Sequence, residues 1–339
     1  MGKTYKIYNG DCLHELKRMP DNSIDSVVTD PPYGLSKEPD ITEVLSKWIA
    51  GEPYDHKHGG FMGKRWDSFV PHPDVWKEVY RVLKPGGHAL VFAGTRTQDL
   101  MATSIRLGGF EIRDVIEWLY FSGFPKSMDV GKAFDKRAGI EREILMEGPT
   151  VKRMVPGAEQ EKTGSWIKSD ARSFTHTITA PASDLAKQWD GWGTALKPAH
   201  EPIIVARKPL AGTVANTVEK YSTGALNIDG CRIGDKHFVQ VASDGYDATS
   251  NTFSPVKRNA KEYSGRFPAN CITTEPDAFF SPYFNVTPQV ICKKASSIDR
   301  NLDWRGAESL VKNTHPTVKP LELMAWLVRL VTPPRRDNP

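Results

Sequence analysis

The chain has 339 residues, of which 39% are hydrophobic and 25% are charged, and its formal net charge is +4. This composition is typical of a globular protein with an ample core, and its mild basicity is compatible with a polyanionic partner. Four scattered cysteines without a C-x-x-C pair argue against a zinc site or a disulfide framework, and we expect no metal. With no leader and no run of about 18 apolar residues, we expect a cytoplasmic protein that does not enter membranes.

The first elements predict an α/β protein. Residues 6–8 are predicted to form a short strand, residues 12–18 a helix, and residues 24–29 (IDSVVT) a buried parallel strand. This strand ends in DPPYG, residues 30–34, which continues neither strand nor helix. The polar, glycine-rich residues 35–70 are predicted to form a mobile loop.

The next segment alternates regularly between helix and strand. Residues 74–83 have helical spacing, the KPGG turn stops that helix, and residues 88–93 (HALVFA) form the next buried strand. Residues 97–107 are predicted to be helical, and residues 110–121 extended. Such a succession predicts a doubly wound parallel sheet.

The second half of the chain is less regular. Residues 125–188 and 210–312 have weak periodicity and many turn signals. Between them, residues 202–206 (PIIVA) are predicted to form a short strand that pairs with the sheet edge. Residues 320–331 (PLELMAWLVRLV) predict an amphipathic helix with proline at its first turn.

The DPPYG loop has the residue types needed to activate an exocyclic base amine. Such an amine is a poor nucleophile because its lone pair is delocalised into the ring. The Asp30 carboxylate and the Pro31 carbonyl can accept hydrogen bonds from both N–H groups of the amine. This favours a tetrahedral nitrogen whose lone pair faces an electrophile. Pro31 and Pro32 fix the loop, and Tyr33 offers a ring face to an extruded base. The alternative is a plain turn in which Asp30 caps a neighbouring group.

Four segments carry a resemblance to a known family: YNGDCLHELKRMPDNSIDSVVTDPPY, RVLKPGGHALVFAG, WGTALKPAHEPIIVARKP and NTHPTVKPLELMAWLVRLVTPP. In this order they resemble the circularly permuted (beta-class) DNA amino-methyltransferases, especially phage-type adenine N6 and cytosine N4 methylases, whose catalytic half precedes the cofactor-binding half. The resemblance implies a Rossmann-like methyltransferase sheet, S-adenosyl-L-methionine as cofactor and double-stranded DNA as partner. It is typical of restriction–modification systems.

The resemblance also implies roles for single residues. Asp30, Pro31, Pro32 and Tyr33 would form the catalytic loop. Asp11 would contact the adenine end of the cofactor, and a set in HPTVKP would line its methionine end: His315, Thr317 and Lys319. The alternatives are a helix N-cap for Asp11 and ordinary loop positions for His315 and Lys319.

The domain organisation follows from the same resemblance. Residues 1–125 would be the catalytic core, 126–189 an insertion with possible DNA contacts, 190–209 a core strand, 210–312 the target-recognition region and 313–339 a truncated cofactor-side segment. Basic and aromatic residues interleave in the insertion, which suits phosphate contacts and stacking, although single charges more often belong to a solvated face. Trp192, Lys197 and His200 are candidates to face the target base or DNA.

One departure from the family pattern stands out. After TPP the family continues with a glycine turn, an F-x-G-x-G loop for the cofactor and a strand ending in an acid, whereas this sequence reads RRDNP and stops. We expect an incomplete sheet and little or no activity of the chain alone, with a second polypeptide supplying the missing part or a broken gene. One codon choice for RRDNP, read one base later, encodes Gly-Gly-Thr-Thr, so a frameshift near codon 335 is a hypothesis.

The sequence therefore predicts an S-adenosylmethionine-dependent DNA N-methyltransferase that acts by direct, in-line transfer. Asp30 favours N6 of adenine, because the related cytosine enzymes often carry serine there. N4-cytosine methylation is the first alternative and a non-enzymatic DNA-binding fragment is the second. Methylation of RNA or of a protein is a third.

Overall fold

A computed structural model describes residues 5–35, 37–58, 68–120, 123, 127–152, 159–160, 166–167, 173–240, 261–275, 279–286 and 318–334. The chain divides into two compact units. One comprises Met1–Phe121 and His200–Pro339, and the other comprises Ser122–Ala199.

Helices and strands are numbered along the chain. The helices are α1 (Cys12–Lys17), α2 (Ile41–Ala50), α3 (Pro73–Val82), α4 (Gln98–Leu107), α5 (Val130–Ala138), α6 (Asp184–Gln188), α7 (Val214–Tyr221), α8 (Ser281–Phe284) and α9 (Leu321–Val331), and a 3-10 turn spans Asp229–Cys231. The strands are β1 (Ile24–Thr29), β2 (Leu83–Phe92), β3 (Glu111–Leu119), β4 (Ile144–Lys152), β5 (Glu159–Gln160), β6 (Trp166–Ile167), β7 (Ser173–Thr179), β8 (His200–Arg207), β9 (Ile233–Gln240), β10 (Lys261–Arg266) and β11 (Cys271–Thr273).

The larger unit is built on a five-stranded sheet with the order β1-β2-β8-β3-β11. β1 pairs with β2 in parallel, and so does β11 with β3, whereas β8 is antiparallel to both of its neighbours. The α/β class is confirmed. The expectation that PIIVA pairs with the sheet edge is wrong, because β8 lies in the middle of the sheet. Its five buried residues in succession, Pro202–Ala206, fit a central strand covered on both faces.

Each face of the sheet carries its own hydrophobic cluster. Along β2, Ala89 and Val91 point to a cluster with α2, α3 and α4, while Leu90 and Phe92 point to a cluster that contains α9. Alternate residues of a strand face opposite sides, so this pattern places helices on both faces. A sheet with helices on both faces is the doubly wound arrangement that the sequence predicted.

Three local predictions need correction. Residues 6–8 are not in a ladder, and the Ile7 side chain is 76% exposed, so burial does not hold a strand there. Residues 41–50, predicted to be loop, form α2, which buries Val44 and Trp48 and begins at an Asp40 cap. The KPGG segment lies within β2 as an irregularity, where the register shifts between Ile24 and Ser26 of β1.

The smaller unit contains α5, α6 and antiparallel strands, of which β4 pairs with β7 and β5 with β6. The sequence showed only weak periodicity over residues 125–188. Asp135 is 1% exposed and accepts hydrogen bonds from the backbone of Ala182 and from Ser183, and its carboxylate also meets Arg142 at 3.1 Å. These N–H and O–H donors, with the arginine charge, hold the pKa of Asp135 below its usual range.

Across the described ranges, every helix is too short or too polar to traverse a lipid bilayer.

Candidate functional site

The DPPYG loop lies at the carboxyl end of β1. Thr29, the last residue of β1, is opposite Val91 near the end of β2. Because β8 is antiparallel to β2, with Ile203 opposite Phe92, the beginning of β8 meets the ends of β1 and β2. Asp30, directly after β1, and Glu201, near the beginning of β8, therefore reach the same edge. In open α/β sheets this is the edge where ligands bind.

The loop is held in place from two sides. Gly34 has φ +66°, and a Cβ there would lie 2.9 Å from the backbone nitrogen of Val70, so only glycine fits the turn and the close approach. On the other side, the Thr97 hydroxyl, at the beginning of α4, donates to the Tyr33 carbonyl at 2.5 Å. The loop geometry is thus set by the surrounding fold.

Four polar side chains form a closed ring at this edge. The Tyr33 hydroxyl lies 2.8 Å from Asp30 Oδ1 and 3.0 Å from Glu201 Oε2. The Lys319 ammonium lies 2.8 Å from Asp30 Oδ2 and 3.2 Å from the same Glu201 oxygen. Two carboxylates thus share two donors, one of them a cation. Charge-assisted hydrogen bonds of this kind are the stronger ones in proteins.

Aromatic rings surround the cation. Lys319 Nζ lies 5.2 Å from the centre of the Tyr33 ring and 4.9 Å from that of Phe92, and its side chain is 8% exposed. Both distances are in the range of cation–π attraction. Trp118 and Tyr120 belong to the same hydrophobic cluster, with ring centres 5.2 Å apart.

The phenols at this edge stay protonated. Burial raises the pKa of Tyr33 far above its usual value, and the neighbouring Glu201 and Asp30 carboxylates raise it further. Burial, with the Glu201 charge, raises the pKa of Tyr120 to about 12. Tyr33 is therefore a hydrogen-bond donor at neutral pH.

This arrangement can accept and orient a donor from solvent. The Asp30 side chain is 27% exposed, so a ligand can reach its carboxylate. Each carboxylate oxygen has more than one lone-pair site, so Asp30 can bind a further N–H group. The exposed acceptor next to ring faces suits a planar amine.

The predicted cofactor residues have different outcomes. Asp11 is the N-cap of α1, where its Oδ1 accepts from the His14 backbone N–H at 3.0 Å. The N-cap role, which was the alternative to a cofactor contact, is therefore present in the structure. The ligand role of Asp11 stays a prediction. Lys319 lies against Asp30 of the DPPYG loop, and its ligand role stays a prediction. His315 and Thr317 lie outside the described residues.

The three candidates for facing DNA fall into different units. Trp192 and Lys197 belong to the smaller unit, where both are exposed and Trp192 packs edge-on against Trp189 with ring centres 5.1 Å apart. His200 begins β8 in the larger unit, and its Nδ1 lies 3.5 Å from Glu117 Oε2. Their roles stay predictions.

Sequence reasoning missed Glu201. The signal available was an acidic residue immediately before the buried apolar run of β8. It was not recognised because β8 was expected at the sheet edge, whereas the structure places it in the middle of the sheet, antiparallel to β2, so that its beginning lies beside the DPPYG loop.

Within the described ranges, no group of three or more His, Cys, Asp or Glu side chains has the arrangement of a metal site.

Comparison with known proteins points to one family. The sequence profile of a family described as DNA methylase matches residues 24–338. The type II methyltransferase M.HindIII of Haemophilus influenzae is 23% identical over 241 residues, which are 65% of this chain and 64% of that protein. M.BamHI of Bacillus amyloliquefaciens is 34% identical over 87 residues, 26% of this chain and 17% of that protein. The chain thus spans less than two thirds of the length of these relatives.

Solved structures show a weaker likeness. The PvuII DNA methyltransferase (cytosine-N4-specific) is 13% identical with a TM-score of 0.40, covering 96% of this chain and 70% of that one. A DNA modification methylase of Thermus thermophilus, complexed with S-adenosyl-L-methionine, is 17% identical with a TM-score of 0.28, covering 62% and 57%. At these TM-scores the superpositions add nothing to the family match.

Proposed function

The chain belongs to the DNA methylase family, and we propose that it transfers a methyl group from S-adenosyl-L-methionine to N6 of adenine in double-stranded DNA. The observation that carries the proposal is the Asp30 carboxylate, partly exposed beside the Tyr33 ring at the carboxyl end of a strand. An amine donor and a planar base would both find a partner there.

The site also contains a group that suits the cofactor. The Lys319 ammonium lies between two carboxylates and over the rings of Tyr33 and Phe92, and as a cation it can pair with the carboxylate at the methionine end of the cofactor. When bound, S-adenosylmethionine supplies an electrophilic methyl group on a sulfonium. We propose that Asp11, His315, Thr317 and Lys319 hold it, and that the insertion at residues 126–189 and the region 210–312 contact DNA.

The residues of the loop would orient the amine. Asp30 and the Pro31 carbonyl accept hydrogen bonds from the two N–H groups of the amine, so that the nitrogen lone pair faces away from them. The Tyr33 ring packs against the flipped base. Burial keeps the Tyr33 phenol protonated, so its hydroxyl adds no negative charge near the electrophile. We assign to Asp30 the further role of taking the proton that the methylated nitrogen must lose.

Nucleoside analysis tests the proposal. The full chain is incubated with S-adenosylmethionine and unmethylated plasmid DNA, the DNA is digested, and methylated nucleosides are measured by mass spectrometry. The methylated nucleoside that we expect in any product is N6-methyladenine, and we expect Asp30→Asn to lower the rate of its formation about a hundredfold or more. N4-methylcytosine in its place would support the alternative target.

Asp25→Asn is the matched control. Asp25 lies in the same strand and pairs with Lys84 at 2.5 Å, away from the loop. Methylation that survives in Asp30→Asn at the level of Asp25→Asn contradicts the assigned role of the loop. DNA that is bound but never methylated would favour the non-enzymatic alternative.

A further inference from the structure

Glu201 has the same two hydrogen-bond donors as Asp30 in the ring of four polar side chains. Its Oε2 lies 3.0 Å from the Tyr33 hydroxyl and 3.2 Å from Lys319 Nζ, and those two groups also reach Asp30. Glu201 is not part of the DPPYG loop and comes from a different strand. Its role is therefore separable from that of Asp30.

The ring presents a problem for an arriving amine. Asp30 Oδ1 is occupied by the Tyr33 hydroxyl and Oδ2 by the Lys319 ammonium. Both bonds draw electron density from the oxygens that an amine N–H must use. The ammonium, as a charged donor, competes especially well against a neutral amine. Asp30 becomes a better acceptor if these two donors can turn to another partner.

We propose that Glu201 is a positioning residue that takes the Tyr33 hydroxyl and the Lys319 ammonium from Asp30 when the target amine binds. The proposal rests on the function proposed above. The Tyr33 hydroxyl has one proton, which serves one carboxylate at a time, and both acceptors are already within hydrogen-bonding distance. The exchange needs a rotation of the O–H bond and a small shift of the ammonium, and it leaves neither donor unpaired.

The surroundings of Glu201 favour this role. Its side chain is 24% exposed, and its backbone is held in the middle of the sheet opposite Trp118 of β3. The sheet therefore fixes the position of the Glu201 backbone. Partial shielding of the carboxylate from water strengthens its attraction for the Lys319 ammonium. Its charge also acts on Tyr120, whose pKa it helps to raise to about 12.

Three substitutions separate charge from geometry. Glu201→Gln keeps an acceptor oxygen but removes the charge, Glu201→Ala removes both, and Glu201→Asp keeps the charge one methylene shorter. Glu322→Gln is the control, because it removes a carboxylate from the first turn of α9, three residues after Lys319. Circular dichroism checks that each variant is folded.

The first measurement needs no methyl transfer. The protein is labelled with [ζ-¹³C]tyrosine, the Tyr33 resonance is assigned with Tyr33→Phe, and its chemical shift reports the hydrogen bond of the phenol. We expect the resonance to move in Glu201→Ala and in Glu201→Gln, to return towards the native position in Glu201→Asp, and to stay in Glu322→Gln. A Tyr33 resonance that does not move in Glu201→Ala overturns the proposal.

The second measurement is the methylation assay on unmethylated plasmid DNA. We expect Glu201→Gln to lower kcat about tenfold to a hundredfold while KM for DNA changes less than about threefold, with partial recovery in Glu201→Asp. A native kcat in Glu201→Gln overturns the positioning role while the proposed function stands. If neither the native chain nor any variant methylates DNA, the proposed function fails. The Tyr33 resonance alone then decides whether Glu201 holds the Tyr33 hydroxyl.

Discussion

Lys319 Nζ lies 2.8 Å from Asp30 Oδ2, although 289 positions separate the two residues in the chain. Lys319 directly precedes Pro320, the N-cap of α9, so this contact joins the beginning of that helix to the loop after β1. The lysine side chain is 8% exposed and that of Asp30 is 27% exposed. Partial burial makes the pair stronger than one on an open surface, and it links the packing of α9 to the geometry of the candidate site.

We predict that Lys319→Met lowers the free energy of unfolding by about 1–3 kcal/mol, because two carboxylates would lose the cation that they share. Denaturant unfolding at neutral pH measures the change. Lys47→Met is the control, because Lys47 pairs with Glu43 of α2 at 2.9 Å and both side chains are more exposed than those of Lys319 and Asp30. We expect a clearly smaller loss of free energy of unfolding in this variant. Equal losses in the two variants would mean that the ring does not stabilise the fold.

A pair of glycine substitutions tests how tightly the loop is held. Gly34 and Gly51 have similar φ values of +66° and +74°, but an added Cβ at Gly34 would lie 2.9 Å from the Val70 nitrogen, whereas nothing lies within 4 Å at Gly51. Gly51→Ala should cost about 1 kcal/mol, the penalty of the left-handed conformation. Gly34→Ala should cost at least twice as much in denaturant unfolding, and a cost equal to that of Gly51→Ala would contradict the close approach.

The sequence was sufficient for the local features of the site. The apolar run of β1 and the two prolines after it predicted a loop at the end of a strand, since proline cannot continue the ladder. The amphipathic spacing of α3 and α9 predicted both helices to within one or two residues. These features depend on neighbours in the chain, which a single sequence displays.

The long-range features could not be predicted in the same way. The direction of β8 depends on its pairing with β2 and β3, which lie more than 80 residues before it, and no local pattern encodes that choice. For that reason Glu201 was missed, and Lys319 was not expected at Asp30. The helix α2 was missed because the many polar and glycine residues around it outweighed its Asp40 cap and its buried Val44 and Trp48.

Adjacent residues of α2 test its place in the core. Trp48 is 3% exposed and packs in the cluster beneath the sheet, whereas Ile49 is 76% exposed. Trp48→Ala should lower the free energy of unfolding by about 3–5 kcal/mol through lost burial and a cavity. Ile49→Ala should change it by less than about 0.5 kcal/mol. Comparable effects of the two substitutions in urea unfolding would show that α2 does not pack as described.

Stability at acid pH should depend on His88. This β2 residue is 5% exposed, and burial, with the charges of Arg207 and Arg113, lowers its pKa from the ordinary value of 6.5 to about 4. A depressed pKa means that the folded state favours the neutral ring. The resulting stabilisation is fully present above pH 6.5 and is lost as the pH falls through 4, and it amounts to at most about 3 kcal/mol.

His88→Gln removes this titration, so its free energy of unfolding should fall less steeply between pH 6.5 and pH 4 than that of the native protein. Urea unfolding at pH 7, 5.5 and 4.5 gives the two slopes. His14→Gln, which changes an exposed histidine of α1, should keep the native slope. Identical slopes for His88→Gln and His14→Gln would show that His88 is not held neutral in the sheet. A shallower slope in His88→Gln alone would identify protonation of a core strand as one cause of acid unfolding, because the charged imidazolium would face two arginines without access to water.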